Sequence, residues 1–156
     1  LLLLSLISGR NADLLIGRHV EAAPSIKQSG LEVIPTGYIL IDGGKATSVS
    51  YMSNTTPIPS DKSDIAVATA LAGELLGLKV IYLEAGSGAK NPVSSEIISR
   101  VSNAVDIPII VGGGIRSVEQ VERAFESGAN VVVIGTAVER DSELISMIAA
   151  TMKNFA

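Results

Sequence analysis

Three short apolar runs in the second half of the chain each end in glycine: Val80-Ile81-Tyr82-Leu83-Glu84-Ala85-Gly86, Ile110-Val111-Gly112-Gly113-Gly114 and Val132-Val133-Ile134-Gly135. They are apolar at successive positions, so both of their faces must be buried, and segments of helical periodicity separate them. Strands of that kind alternating with helices build a parallel sheet covered on both sides. The first half fits the same scheme. Leu1 to Ile7 reads as a buried strand, and Leu31 to Ile41 as a second strand with a bend near its exit, where Pro35 and Gly37 stand. The order is β-α repeated five times.

The helices follow from spacing and caps. Asn11 caps a segment with Asp13 in its first turn; Pro24 interrupts it and Gly30 closes it, which predicts two short pieces. Residues 42–60 form a long connection in which Val49 and Tyr51 alternate as in a hairpin strand. Ile65, Ala68, Ala72, Leu75 and Leu76 share one helical stripe, stopped by Gly77. Pro92 opens the next helix, with Ile97, Ile98, Val101 and Val105 along one face. Ser117 and Gln120 have capping-box spacing, Val121, Ala124 and Phe125 face inward, and Gly128 ends that helix. After a strand over 130–134, a last helix from about Asp141 buries Leu144, Ile145, Ile148 and Met152.

A five-stranded open sheet and part of an eightfold barrel both fit this pattern. A typical barrel of about 250 residues spends about five eighths of its length on five units, close to this chain. The reading adopted is α/β, of the (β/α)8 TIM-barrel type, with residues 1–156 as the C-terminal portion of one phosphate-binding domain comprising about the last five units. A chain that starts inside a strand is expected to lack upstream units. In either architecture ligands bind at the carboxyl ends of the strands, where Glu84, Gly86, Gly113, Gly114 and Gly135 lie.

Composition narrows the partners. A net charge of −4 and 3% aromatic residues exclude a basic, stacking nucleic-acid surface. The absence of cysteine removes disulfides and zinc-thiolate sites and suits a cytoplasmic protein. The N-terminal leucines lack a basic leader, and no stretch reaches the roughly 18 apolar residues of a transmembrane segment.

Gly112-Gly113-Gly114, with a helix starting near Ser117, lets backbone amides approach an anion, and Gly135-Thr136 offers more amides and a hydroxyl. Successive glycine grips on the last two strands point to phosphate. Gly86-Ser87-Gly88 can form a third wall. Glu84 is the one carboxylate at the outlet of a strand with such a loop behind it. It reads as a general base, as an anion stabilising a developing cation, or as the buried partner of Arg116 or a lysine. Tyr82 lies on the same side of the strand, placed to bond a substrate hydroxyl or to fill the rim. Tyr38 stands at another strand outlet. His19, the single histidine, has no neighbours in sequence that complete a metal site or triad and reads as a surface or helix-packing residue. Arg116 reads as a phosphate contact, an exposed helix-start arginine or a salt-bridge partner.

The stretches Tyr82-Leu83-Glu84-Ala85-Gly86-Ser87-Gly88-Ala89, Val111 to Ser117 and Ile134 to Glu139 together resemble the geranylgeranylglyceryl phosphate synthase family. So do Val20 to Pro24, Glu32 to Tyr38 and Pro57-Ile58-Pro59. The resemblance implies a prenyltransferase that joins a polyprenyl diphosphate to a hydroxyl of sn-glycerol 1-phosphate, the first ether bond of archaeal-type lipids, with release of diphosphate. It implies that Tyr82, Leu83, Glu84, Ala85, Gly86, Ser87 and Gly88 line the glycerol phosphate. Gly113, Gly114, Gly135 and Thr136 would hold the phosphate, Glu84 would accept the proton, and Tyr38 would form part of a prenyl groove. It implies Mg2+ as cofactor, with its ligands in about three upstream units and none in this chain, so that the 156 residues alone are expected to be inactive. A homo-oligomer is expected, cytoplasmic or peripheral to a membrane because the product is a lipid. A heptaprenylglyceryl phosphate synthase, another phosphate-binding TIM-barrel isomerase or cyclase, and a non-catalytic phosphate-binding module are the alternatives.

Overall fold

In the computed structural model of the protein, residues 1–152 are described; the last four positions of the expected 1–156 domain lie outside the described residues. The strands are β1 (Leu2–Leu6), β2 (Ile34–Leu40), β3 (Val80–Glu84), β4 (Ile109–Gly112) and β5 (Val131–Val133). All pair in parallel and in chain order. A doubly wound open sheet reverses its strand order at a switch point. Here nothing reverses, so right-handed crossovers put every helix on one face, which is the construction of a β/α barrel.

That construction divides the strand residues by parity. Ile39, Ile41, Ile81, Leu83, Ile109 and Val111 are buried under the helices, packed with Ala66, Ala70, Ile97, Val101 and Val121. The alternate residues face the other side. Register there aligns Tyr38 with Tyr82 and Ile110, and Leu40 with Glu84, Gly112 and Val133. Glu84 thus stands at the carboxyl end of the central strand. The strand β1 is not buried on both faces as its sequence suggests: Leu2 and Leu4 are exposed, as are Val131 and Val133 at the opposite edge. Each of these strands has one neighbour, so its inward side chains are only half covered.

The helices are α1 (Arg18–Ser29), α2 (Ser48–Met52), α3 (Ser63–Leu75), α4 (Ser95–Ser102), α5 (Val118–Glu126), α6 (Thr136–Arg140) and α7 (Glu143–Met152). Asn11 starts the first segment through a 3.1 Å bond from the Asp13 N–H to its Oδ1. The division of that segment falls before Pro24, however. A π-helical turn over Asp13–Gly17 passes directly into α1, and Pro24 lies inside α1. His19 ties this helix to the sheet, its ring nitrogens 3.0 and 2.9 Å from the Leu15 and Leu4 carbonyl oxygens. Val49 and Tyr51 belong to α2, not to a hairpin, because Thr47 and Ser50 form a reciprocal capping box that starts a helical turn. Ile145 points to solvent, while Leu144 is buried and Ile148 and Met152 are half-buried.

Helix α3 turns the opposite face inward from the one its large residues suggest. Ser63, Ala66, Ala70 and Gly73 are buried, whereas Ile65, Ala68, Ala72, Leu75 and Leu76 are exposed. Close approach decides the matter. A methyl group on Gly73 would sit 3.0 Å from Ile7 Cδ1 and 3.2 Å from Ile81 Cδ1, so only a face of small residues fits against β3. Gly73→Val in the full-length protein should therefore lose about 1–3 kcal/mol by overpacking. Ala72→Leu, one residue away on the open face, should change stability by less than about 0.5 kcal/mol. Urea denaturation compares the two; equal losses would mean the helix packs by its large residues after all.

Candidate functional site

Glu84 is 7% exposed, which leaves its carboxylate largely without water. A charge so placed needs hydrogen bonds. The Gly86 N–H donates to Oε1 at 2.7 Å and the Tyr82 hydroxyl donates to the same carboxylate. Burial pushes the Glu84 carboxyl above the usual carboxylate range, and these two bonds pull it partly back. Tyr82 packs edge-on against Tyr38, with ring centroids 5.2 Å apart. Both phenols are raised by burial first and by the Glu84 charge second, so they stay protonated donors.

The loops beside Glu84 fit by way of glycine. Gly113 has φ +83° and lies against the Glu84 carboxylate, where a Cβ would overlap Oε1 and stand 2.7 Å from the Gly86 nitrogen. Gly114 contacts the backbone of Asn91 and Pro92, and Gly43 that of Ala85 and Asn91. The Glu84 loop is consequently gripped from both sides. Gly135 differs: nothing lies within 4 Å of where its Cβ would be, so no contact within the chain requires glycine there. Arg116 meets no carboxylate among the described residues. Its guanidinium donates to the Ala89 and Lys90 carbonyls. Gln120 accepts from the Arg116 N–H at 2.6 Å, so the capping contact forms one residue earlier than the Ser117 spacing suggests, and Ser117 bonds Glu119 instead.

Above Glu84 opens a cleft of about 720 Å³. It gathers Tyr38, Tyr82, Glu84, Ser87, Gly88, Gly113, Gly114, Gly135 and Thr136 from four strand ends. Leu83, Ala85 and Gly86 are not on its wall; Leu83 is wholly buried under the helices, and Gly86 acts through its N–H on Glu84. Two cations that no motif marks, Lys45 and Arg140, line the same cleft. Their signal was positional: Lys45 follows Gly43-Gly44 past the end of β2, and Arg140 closes α6 behind Gly135-Thr136. Among the described residues, the N–H groups of Ser87, Gly88, Gly113, Gly114 and Gly135 donate to no acceptor in the chain. A cleft with free amides, three cations (Lys45, Arg116 and Arg140) and one buried carboxylate suits a phosphorylated ligand carrying a hydroxyl to be deprotonated.

A divalent cation fits these residues poorly. Glu84 is the one carboxylate on the cleft wall, and the described residues contain no cluster of three or more His, Cys, Asp or Glu side chains that could hold a metal ion.

The PcrB family model matches residues 1–153. A geranylgeranylglyceryl phosphate synthase of Chitinophaga pinensis is 59% identical, covering 96% of this chain and 59% of its own length. The Spirosoma linguale protein of that description is 56% identical, covering 99% and 62%. Among solved structures, (S)-3-O-geranylgeranylglyceryl phosphate synthase of Thermoplasma acidophilum, in complex with its substrate sn-glycerol-1-phosphate, superposes with TM-score 0.90 at 33% identity, over 97% of this chain and 62% of that one. The chain thus spans about three fifths of the length of the curated relatives it matches.

The two kinds of glycine should separate by mutation. Gly113→Ala meets both a left-handed backbone and the Glu84 carboxylate, and should cost about 2 kcal/mol or more. Gly135→Ala should stay within about 0.5 kcal/mol of wild type in the same thermal or urea melt.

Proposed function

We propose, from the premise that this chain belongs to the PcrB family, that the protein transfers a polyprenyl group from its diphosphate to the primary hydroxyl of sn-glycerol 1-phosphate. The observation that carries the reading is the buried carboxylate of Glu84 beside unpartnered amides in one cleft. The phosphate would rest on the amides of Gly113, Gly114 and Gly135 with the Thr136 hydroxyl, and Ser87 and Gly88 would close the third side. Glu84 would accept the proton of the attacking hydroxyl as its oxygen bonds to the allylic carbon and the bond from that carbon to diphosphate breaks. The same negative charge favours positive charge on the allylic carbon in the transition state. Tyr38 and Tyr82 offer an apolar wall to the prenyl chain.

Mg2+ belongs to this reading by resemblance to the family, as the counter-charge of the leaving diphosphate. No step is assigned through it, since the cleft residues do not form its site. Leu75 and Leu76 leave an apolar patch exposed at the C-terminal end of α3, which supports self-association. No helix of the described residues is long and apolar enough to cross a membrane. A water-soluble acceptor and a lipid donor support a reaction at a membrane surface, in keeping with the expected cytoplasmic or membrane-peripheral location.

Glu84→Gln tests the assignment. The amide can still accept from the Gly86 N–H and can donate to the Tyr82 oxygen, so binding of sn-glycerol 1-phosphate, followed by calorimetry, should change less than about threefold while kcat falls at least about 100-fold. Wild-type kcat in this variant at saturating substrates would remove Glu84 from the chemistry.

Stability should move the other way. The folded-state pKa of Glu84 is raised, so its contribution to stability is fully present below the unfolded pKa and lost as pH rises through the folded one. At pH 7 the glutamine variant should therefore melt at the same or a higher temperature than wild type, with the difference closing in acid. Gly135→Ala, whose fold is expected to be intact, should weaken binding of glycerol phosphate about tenfold, the loss of a backbone approach to the anion.

A further inference from the structure

Arg116 lies on the cleft wall with its charge turned away from any carboxylate among the described residues. Nη1 donates to the Lys90 carbonyl at 3.1 Å and Nη2 to the Ala89 carbonyl. From Ala89 the contacts continue inward. The Ala89 N–H donates to the Gly86 carbonyl at 3.0 Å, and the Gly86 N–H donates to Glu84 Oε1 at 2.7 Å. Three hydrogen bonds in series join the guanidinium to the carboxylate. The far end of the same loop is held by the Asn91 N–H on the Gly43 carbonyl, 2.9 Å, and by the contact of Gly114 with Asn91 and Pro92. No comparable bond holds the tip: the amides of Ser87 and Gly88 are unpartnered among the described residues. Arg116 is the side chain that fixes the loop between its free tip and its anchored end.

We propose that Arg116 is a positioning residue for Glu84, which it serves by clamping the carbonyls of Ala89 and Lys90, and that it is not a phosphate ligand. A guanidinium spans two carbonyl oxygens with a planar fork, which an ammonium cannot reproduce. The clamp uses two of the five guanidinium N–H donors and turns both terminal nitrogens to the loop, and on this reading the cleft's phosphate is assigned to the backbone amides and to Lys45 and Arg140. The effect on rate follows from orientation: a base held a fraction of an ångström off line loses rate without losing substrate. This inference rests on the reading of Glu84 as the base.

The test uses Arg116→Lys and Arg116→Gln in the full-length protein, with three measurements: amide hydrogen exchange, the Kd of sn-glycerol 1-phosphate, and kcat with a prenyl diphosphate. In both variants exchange of the hydrogen-bonded Gly86 and Ala89 amides within 86–91 should quicken about tenfold or more, with β4 and α4 unchanged. In both, kcat should fall about tenfold or more while Kd moves less than about threefold. Wild-type behaviour of the lysine variant, with Kd raised in the glutamine variant alone, would make Arg116 a phosphate ligand and overturn the proposal. Unaltered exchange over 86–91, or exchange raised equally throughout the protein, would also overturn it. The exchange measurement needs no substrate, so it decides the clamp even if wild-type protein shows no prenyl transfer, a result that would instead refute the proposed reaction.

Discussion

A carboxylate withheld from water is the constraint around which this end of the sheet is arranged. Burial of Glu84 works against ionisation, and two donors, the Gly86 N–H and the Tyr82 hydroxyl, offset part of that penalty. Each donor imposes a structural requirement. The amide is available only if the chain turns sharply after Ala85, which Gly86 achieves at φ +95°. The hydroxyl is available only if Tyr82 projects to the same side as Glu84, which strand parity guarantees, and if its ring is held, which Tyr38 on the neighbouring strand provides. Turn, parity and register therefore all serve the position of one side chain.

The loops then have to come close enough to exclude water from that carboxylate, and they do so where no Cβ intervenes. Gly43 on one side and Gly113 and Gly114 on the other meet the Glu84 loop backbone to backbone. This gives two distinct meanings to glycines that look alike as letters. Gly113 is required by the carboxylate and by its own left-handed backbone, whether or not a ligand is present. Gly135 starts α6 through its carbonyl, which accepts from the Val138 and Glu139 N–H groups, but its Cα side faces open space beside an unpartnered amide. That open space, next to a donor without an acceptor among the described residues, is what the proposed phosphate contact at Gly135 would use.

The barrel-type order and the gathering of Glu84 with the glycine strand ends were legible in the sequence because both follow from periodicity: apolar runs fix the strands, and strand ends fix where loops converge. What periodicity misread was packing distance. On α3 the large side chains define a stripe, yet the sheet lies so close that Ala66, Ala70 and Gly73 are the residues that fit. Val49 and Tyr51 alternate like a strand, but the local Thr47–Ser50 capping box turns them into a helix. Pro24 was tolerated within α1 and Ser117 gave its capping role to Gln120 and Arg116. Lys45 and Arg140 carry no pattern of their own and were visible only once the loops were placed.

Tyr82 and Tyr38 also settle which group can take a proton. Both phenols are raised by burial and by the adjacent negative charge, so neither releases its proton near neutral pH, and Tyr82 acts only as a donor to Glu84. A carboxylate offers about four lone-pair positions on its two oxygens, of which the Gly86 amide and the Tyr82 hydroxyl occupy two. The rest can accept from a ligand hydroxyl without breaking either bond. Protonation of Glu84 during a reaction is further eased by the burial that raised its pKa, since the neutral acid is the form the site solvates more readily. The carboxylate is thus held by two donors with lone pairs to spare, and in the proposed transfer the same desolvation that makes it costly to keep would make it a stronger base than a carboxylate in water.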